Sequence, residues 1–259
     1  RTLNYNGIVK HISEWLADYC SQSGLEGYII GISGGIDSAV TSTLCALTGK
    51  KVICINMPIR QHKSEYDRAN LHIEDLKERF PNVSGLDVNL TELFDVFEKT
   101  MPIDIETNGL SFANSRARLR MTTLYAVGQA NKLLVAGTGN KVEDFGIGFY
   151  TKYGDGGVDL SPIADLNKTD IYELAKELNI IEVIQKAKPT DGLWGDDRND
   201  EDQIGATYPE LEWAMDFTGD VNALDARQKE VVEIYRRLNK INQHKMIDIP
   251  ICTIPKNLK

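Results

Sequence analysis

Eight residues near the start of the chain, Gly31-Ile32-Ser33-Gly34-Gly35-Ile36-Asp37-Ser38, constrain what it can fold into more than any other stretch. Ahead of them, Gly27-Tyr28-Ile29-Ile30-Gly31-Ile32 is a short apolar, β-branched run that predicts a buried strand. Behind them, Ile36, Ala39, Val40, Thr43, Leu44 and Leu47 recur at helical spacing. The glycines therefore fall in a tight strand-to-helix turn. There, bare backbone can approach a ligand, and the first helical N–H groups have no internal partner. The helix dipole adds to this, so such a turn is an anion site. Ser33 and Ser38 supply hydroxyl donors, while Asp37 would repel bare phosphate and so points to a bridging divalent cation. The plainer alternative is a Gly-rich βα turn with incidental serines. The stretch is not a Walker loop, which needs a lysine after its last glycine, and not the G-x-G-x-x-G dinucleotide turn.

The 259 residues suffice for one large α/β domain, and 42% hydrophobic residues suffice for a well-buried core. A net charge of −9 argues against a nucleic-acid-binding surface. The four cysteines, at 20, 45, 54 and 252, show no metal spacing, and Cys45 and Cys54 fall in predicted buried elements, which fits a reducing compartment. No apolar run reaches membrane-spanning length, and residues 1–25 lack a signal-peptide core, so a soluble, cytoplasmic protein is expected.

Ile8, Ile12, Trp15, Leu16 and Tyr19 mark an amphipathic opening helix that should pack on the sheet. Further strands are predicted at Val52–Ile55, Leu86–Leu90 and Leu133–Ala136. The helices between them are predicted over 64–80 with Ser64 as cap, from Thr91 as cap to Phe97, and over 112–131. Later helices are predicted over about 168–178, 208–217 and 223–242. Alternating strands and helices indicate an α/β fold, a parallel sheet with helices on both faces and its ligand crevice at the carboxyl ends of the strands. Loops 33–38, 56–63 and 137–160 converge there. Residues 145–157 carry five glycines among aromatics and cannot hold a stable helix. They read either as a flexible surface loop or, as the aromatics favour, as a binding loop with stacking platforms. The acidic run Asp196–Asp202, within a polar segment at 188–206, reads as a solvated loop.

The turn at 31–38 resembles the S-G-G-x-D-S loop of the N-type ATP pyrophosphatases, which split ATP to AMP and pyrophosphate. Within that group the likeness narrows. Asn114-Ser115-Arg116-Ala117-Arg118-Leu119-Arg120-Met121 is similar to the N-x-x-A-R-x-R-M helix of NAD synthetases. Gly137-Thr138-Gly139-Asn140-Lys141-Val142-Glu143 resembles their loop after strand four. Phe149 to Leu160 resembles their F-T-K-[FY]-G-D-G-x-x-D-[IL] signature, and Lys188 to Trp194, the D-E-D-x-x-G segment and His244-Lys245 follow in order. The likeness spans about residues 25–250. The departures are Tyr150, an insertion before the usual Thr-Lys, and the polar trio Gly139-Asn140-Lys141, neither of which is expected to touch the chemistry.

The resemblance implies an adenine nucleotide alpha hydrolase-like fold in a single NAD synthetase domain, with its core at about 25–190 and a helical C-terminal part at about 207–245. It implies ATP-dependent amidation of deamido-NAD with ammonia through an adenylated carboxylate, giving NAD, AMP and pyrophosphate, the last step of NAD biosynthesis. ATP would be held by Gly31, Ile32, Ser33, Gly34, Gly35, Ile36, Asp37 and Ser38, with Gln61, Thr138, Lys168 and Thr190 as further contacts. Asp37 and Glu143 would ligate Mg²⁺. Arg118, Lys152, Asp159, His244 and Lys245 would contact deamido-NAD; Arg116, Arg118 and Arg120 alternate and cannot share one helical face, so Arg118 alone inherits that role. Lys168 also answers the need for a cation where phosphate charge develops, its alternative being an exposed first-turn lysine. Asp155 is either an ammonia-orienting carboxylate or a turn aspartate. The first strand begins too early to leave room before it for the nitrilase-like domain of some relatives, so free ammonia is the expected nitrogen source. A homodimer is implied, with no nucleic-acid or membrane partner. The rivals are another ATP pyrophosphatase, tRNA-modifying or GMP-forming, and a nucleotide-binding regulatory module without catalysis.

Overall fold

A computed structural model describes residues 3–189 and 199–258. Four parallel strands, β1 (Gly27–Gly31), β2 (Lys51–Asn56), β3 (Val83–Asp87) and β4 (Leu133–Val135), form one sheet in the order β3-β2-β1-β4. Side chains alternate across it, as the strand pleat requires. Tyr28, Ile30, Val52, Cys54 and Leu134 enter one core, while Ile29, Ile53, Ile55, Leu133 and Val135 enter the other. On the first face lie α1 (Tyr5–Ser23), α2 (Ile36–Leu47), α3 (Lys63–Arg79) and α6 (Lys168–Glu177). On the second lie α4 (Thr91–Thr100) and α5 (Gly109–Ala130), whose Phe94 and Phe112 meet edge to face. Both faces of the sheet are thus covered, which is why β1, β2 and β4 read as near-continuous apolar runs, while the edge strand β3 does not.

A third core brings Val142 and Ile147 against the C-terminal helices, where Ile204, Leu211, Val231 and Val232 are buried. These helices are α8 (Asp200–Ile204), α9 (Tyr208–Asp216) and α10 (Ala226–Met246), preceded by the short α7 (Glu182–Gln185). Their starts are written in capping boxes: Asn199 with Asp202, Thr207 with Glu210, and Asp225 with Gln228.

Several expectations shift. The third strand lies at Val83–Asp87, not Leu86–Leu90, because its partner β2 sets the register, Val52 opposite Val83. Helix α3 is capped by the His62 ring, which accepts from the Ser64 N–H; Ser64 is already inside the helix. Thr91 does not cap α4: the Asn89 side chain accepts the Thr91 N–H, and the Thr91 hydroxyl accepts from Arg60 N. Trp15 and Tyr19 of α1 stay on the surface and stack on each other, while Ile12, Leu16 and Cys20 carry the packing. Among the described residues no helix is long and apolar enough to cross a membrane.

Candidate active site

At the carboxyl ends of the strands the loops enclose a cavity of about 640 Å³. Its floor is the 31–38 turn. Gly34 has φ +83°, and a Cβ there would stand 2.6 Å from the Glu65 carbonyl oxygen of α3, so only glycine fits. The Ser38 hydroxyl accepts from Ser33 N (3.2 Å) and donates to Gly35 O (3.1 Å), which ties the bend to the first turn of α2. Gly35 caps that helix in extended conformation without a side-chain cap, so its leading amides are left for a ligand.

Beside the turn a single ammonium joins two carboxylates. Lys168 Nζ lies 2.5 Å from Asp37 Oδ2 and 3.1 Å from Glu143 Oε1, with its side chain only 4% exposed. Lys168 opens α6, where the Asn167–Asp170 capping box sets the helix start, so the exposed-lysine alternative fails. Glu143 sits in a π-helical turn, Val142–Ile147, closed by Gly148 in left-handed conformation. Asn140, fully buried, ties the Asp37 carboxylate to the Glu143 backbone: its Nδ2 donates to Asp37 Oδ1 and its Oδ1 accepts the Glu143 backbone N–H, both at 3.1 Å. Asn140, expected to lie apart from the chemistry, thus contacts both acidic residues of the candidate site. Its signal was present, a short polar side chain three residues before Glu143.

Burial opposes ionisation of Asp37 and holds its carboxyl above the usual range, with Lys168 partly offsetting it. Glu143 also suffers burial, but Lys168, Tyr208 and Asn140 outweigh it and its carboxyl lies below the usual range. Lys168 is held charged, since its two carboxylates overcome the cost of burial. Asp155 faces the cavity, its Oδ1 accepting the Thr151 N–H at 2.8 Å. Desolvation by the surrounding wall pushes its carboxyl up to about 6. Next to Glu143, desolvation and the neighbouring acids push Asp144 up to about 8.

Gln61 and Thr138 line the cavity as expected. Arg120 lines it too: its Nε donates to Met57 O and its Nη2 to Gln61 Oε1, at 2.9 and 2.8 Å. The resemblance implies a ligand role for Arg118 alone among the three arginines, so Arg120 is an additional cavity residue. Lys245 is a cavity residue, donating to Gly148 O and Tyr150 O. Arg118, Lys152 and His244 gather outside the cavity lining: Arg118 Nε donates to Lys152 O and Lys152 Nζ to His244 O. Asp159 is held by the end of the sheet, its carboxylate accepting from Val135 N and from the Tyr125 hydroxyl. Thr190 lies outside the described residues. The aromatics of 145–157 divide. Phe149 packs into the third core while also lining the cavity, the Tyr150 hydroxyl donates to Lys245 O, and Phe145 and Tyr153 are exposed. The solvated reading of the acidic run fails at Asp200, which is buried beside the Tyr208 hydroxyl.

Magnesium uses one or two carboxylates and completes its shell with water and phosphate oxygens. Asp37 and Glu143 suit that role: both are hard oxygen donors beside the anion turn, and one ammonium between two carboxylates leaves a net charge of −1. Among the described residues no group of three or more His, Cys, Asp or Glu side chains converges on a metal position.

A parallel α/β sheet with an anion turn, a shielded cation and paired carboxylates at its carboxyl edge defines a nucleotide-binding enzyme fold. The sequence profile of the NAD synthase family matches residues 8–248, and the chain belongs to that family. The NH(3)-dependent NAD(+) synthetase of Mycoplasma genitalium is 36% identical over 228 residues, 87% of this chain and 88% of that one. Among solved structures, the NMN synthetase of Francisella tularensis aligns with a TM-score of 0.84 and 28% identity, covering 98% of this chain and 100% of that one. An NH3-dependent NAD synthetase from Campylobacter jejuni aligns with a TM-score of 0.77 and 26% identity, covering 97% and 100%.

Proposed function

We propose that this chain joins ammonia to deamido-NAD at the expense of ATP, forming NAD, AMP and pyrophosphate, the last step of NAD biosynthesis. A carboxylate is a poor electrophile, so the nicotinate carboxylate first attacks the α-phosphorus of ATP and pyrophosphate departs. Ammonia then attacks the mixed anhydride, AMP leaves and the excess proton is given up. The enzyme's tasks are to neutralise phosphate charge, align the carboxylate and exclude water.

The observation that carries this reading is Lys168 bridging Asp37 and Glu143 beside the anion turn, in the same cavity as Asp155. The turn 31–38 receives the departing pyrophosphate, with Gln61 and Thr138 on the nucleotide. Bound by Asp37 and Glu143, Mg²⁺ supplies charge neutralisation to the phosphates. Lys168 holds both carboxylates in place and keeps its own positive charge near the phosphates. Asp155, with its carboxyl near 6, is suited to take a proton from ammonium at neutral pH. Arg118, Lys152, Asp159 and His244-Lys245 serve deamido-NAD, and since all of them but Lys245 lie beyond the cavity lining the dinucleotide extends across its rim toward a second subunit. The protein is accordingly a homodimer, which light scattering at twice 28.9 kDa would support.

Incubating the purified chain with ATP, Mg²⁺, ammonium and deamido-NAD should yield NAD and AMP in equal amounts. ADP as product, or turnover supported by glutamine but not by ammonium, would overturn the proposal. ATP binding without AMP release would favour the regulatory rival. A second reading, a deamidated NMN as acceptor, draws support from the higher TM-score to the Francisella protein. Comparing kcat/KM for the two acids decides between them.

A further inference from the structure

The Glu143 carboxylate has a third partner, which comes from another part of the chain. The Tyr208 hydroxyl donates to Glu143 Oε1 at 2.5 Å, and Asp200 Oδ2 stands 3.3 Å from the same hydroxyl. A phenol has one proton, so the shorter contact takes it. The Tyr208 ring also lies under Lys168, 4.9 Å from Nζ to its centroid. One side chain thus touches both the ammonium and one of the carboxylates it neutralises.

The backbone behind that side chain is fixed from several directions. Tyr208 is the first residue of α9, whose capping box is formed by Thr207 and Glu210. Its N–H donates to Glu201 Oε1 at 2.8 Å. Arg227 of α10 clamps Glu210 with Nε and Nη2, each at 2.8 Å. One turn further along α9, Glu212 accepts from Thr169 N at 3.0 Å and from the Thr169 hydroxyl at 2.7 Å, which anchors α9 to the residue next to Lys168. Helix α9 therefore grips the site twice, at Glu143 and at the start of α6.

We infer that Tyr208 is a positioning residue: its hydroxyl fixes the orientation of the Glu143 carboxylate, and so sets how tightly the site takes a divalent cation together with ATP. The inference rests on the assignment of Glu143 under the proposed function. Without the hydroxyl, Glu143 Oε1 loses one of the two short contacts, to Lys168 and Tyr208, that hold it among the described residues, and its carboxylate can rotate away from the turn. The ring, with its packing and its contact to Lys168, is unaffected by removal of one oxygen.

The variant that isolates the hydroxyl is Tyr208→Phe. Calorimetric titration of ATP into enzyme at a series of Mg²⁺ concentrations gives the Mg²⁺ level for half-maximal ATP binding. That level should rise by about 10-fold or more, on the order of one lost hydrogen bond to a charged group. Metal-free ATP binding should stay near wild type, with Tm lowered by no more than a few degrees. In Tyr208→Phe combined with Glu143→Gln, the Mg²⁺ requirement should be no worse than in Glu143→Gln alone, because both changes remove the same interaction. An unchanged Mg²⁺ requirement in Tyr208→Phe, or a fully additive double variant, would overturn the inference. A fall in Tm with no change in Mg²⁺ requirement would do so as well, since it marks a purely structural tyrosine. Were wild-type ATP binding itself insensitive to Mg²⁺, the assignment of Glu143 would fall, a result separate from any behaviour of the variants.

Discussion

Asn140 donates from Nδ2 to Asp37 Oδ1 at 3.1 Å, across a sequence separation of 103 residues, and the same amide accepts the backbone N–H of Glu143, the other acid that Lys168 neutralises. It fixes one oxygen of Asp37, leaving Lys168 to take the other. Asn140→Ala removes the donor and leaves a shielded carboxylate oxygen short of a partner, a loss of about 1–3 kcal/mol. We expect the rate of AMP release to fall by at least 10-fold, with Tm lowered by a few degrees. A normal rate would show that Asp37 keeps its orientation unaided.

Lys168→Met leaves Asp37 and Glu143 facing each other without a cation. Breaking a buried charge network by removing one partner costs about 3–5 kcal/mol. For a chain of this size that corresponds to a Tm lower by roughly 6–20 °C. Added Mg²⁺ should restore part of the loss in differential scanning fluorimetry, because the two carboxylates can then take the ion. No response of the variant's Tm to Mg²⁺ would argue against those two residues as its ligands.

Asp155 carries the expected pH dependence of turnover. Its carboxyl lies near 6, raised chiefly by desolvation, so its ionised form grows in as pH rises through that value. At saturating ammonium and ATP, kcat should climb between about pH 5 and 7, a rise that Asp155→Asn should abolish along with most of the rate. A variant that keeps the same rising limb would return Asp155 to the role of a turn aspartate.

His72 governs a limb of the stability curve instead. It is fully buried on α3, its Nε2 against the Ser42 hydroxyl at 2.8 Å, and desolvation pushes its ring down to about 4 from the usual 6.5. A group with a lowered folded pKa that gains a proton on unfolding stabilises the fold above the unfolded value, and that contribution fades as pH falls. The window here runs from pH 6.5 to 4, and the shift corresponds to about 3 kcal/mol at its lower end. His72→Gln should flatten urea-derived stability across that window relative to wild type. A parallel decline in both proteins would assign the acid limb to other groups.

Local patterns made much of the architecture readable. The 31–38 turn, the strands β1, β2 and β4 and the start of α6 all follow from periodicity and from residues adjacent in sequence. The errors came where a distant partner decides. β3 slid along because β2 fixes its register, and Asp200 left the solvated run because Tyr208 shelters it. Arg120 has no ligand role in the resemblance, yet the loop after β2 folds over the same end of α5 and offers it Met57 O and Gln61. Tyr208 gave no local signal at all: its importance lies in contacts to residues 65 and 40 positions away, which only the folded chain brings together.

The bare α-carbon of Gly34, pressed under the α3 carbonyl of Glu65, leaves no slack between the bend and that helix. Gln61 hangs from the same helix through Glu65, at 2.9 Å. The bend and Gln61 are thus referred to one stiff helix, so under the proposed function a nucleotide touching both, with a longer or shorter phosphate chain, would be out of step at one end or the other.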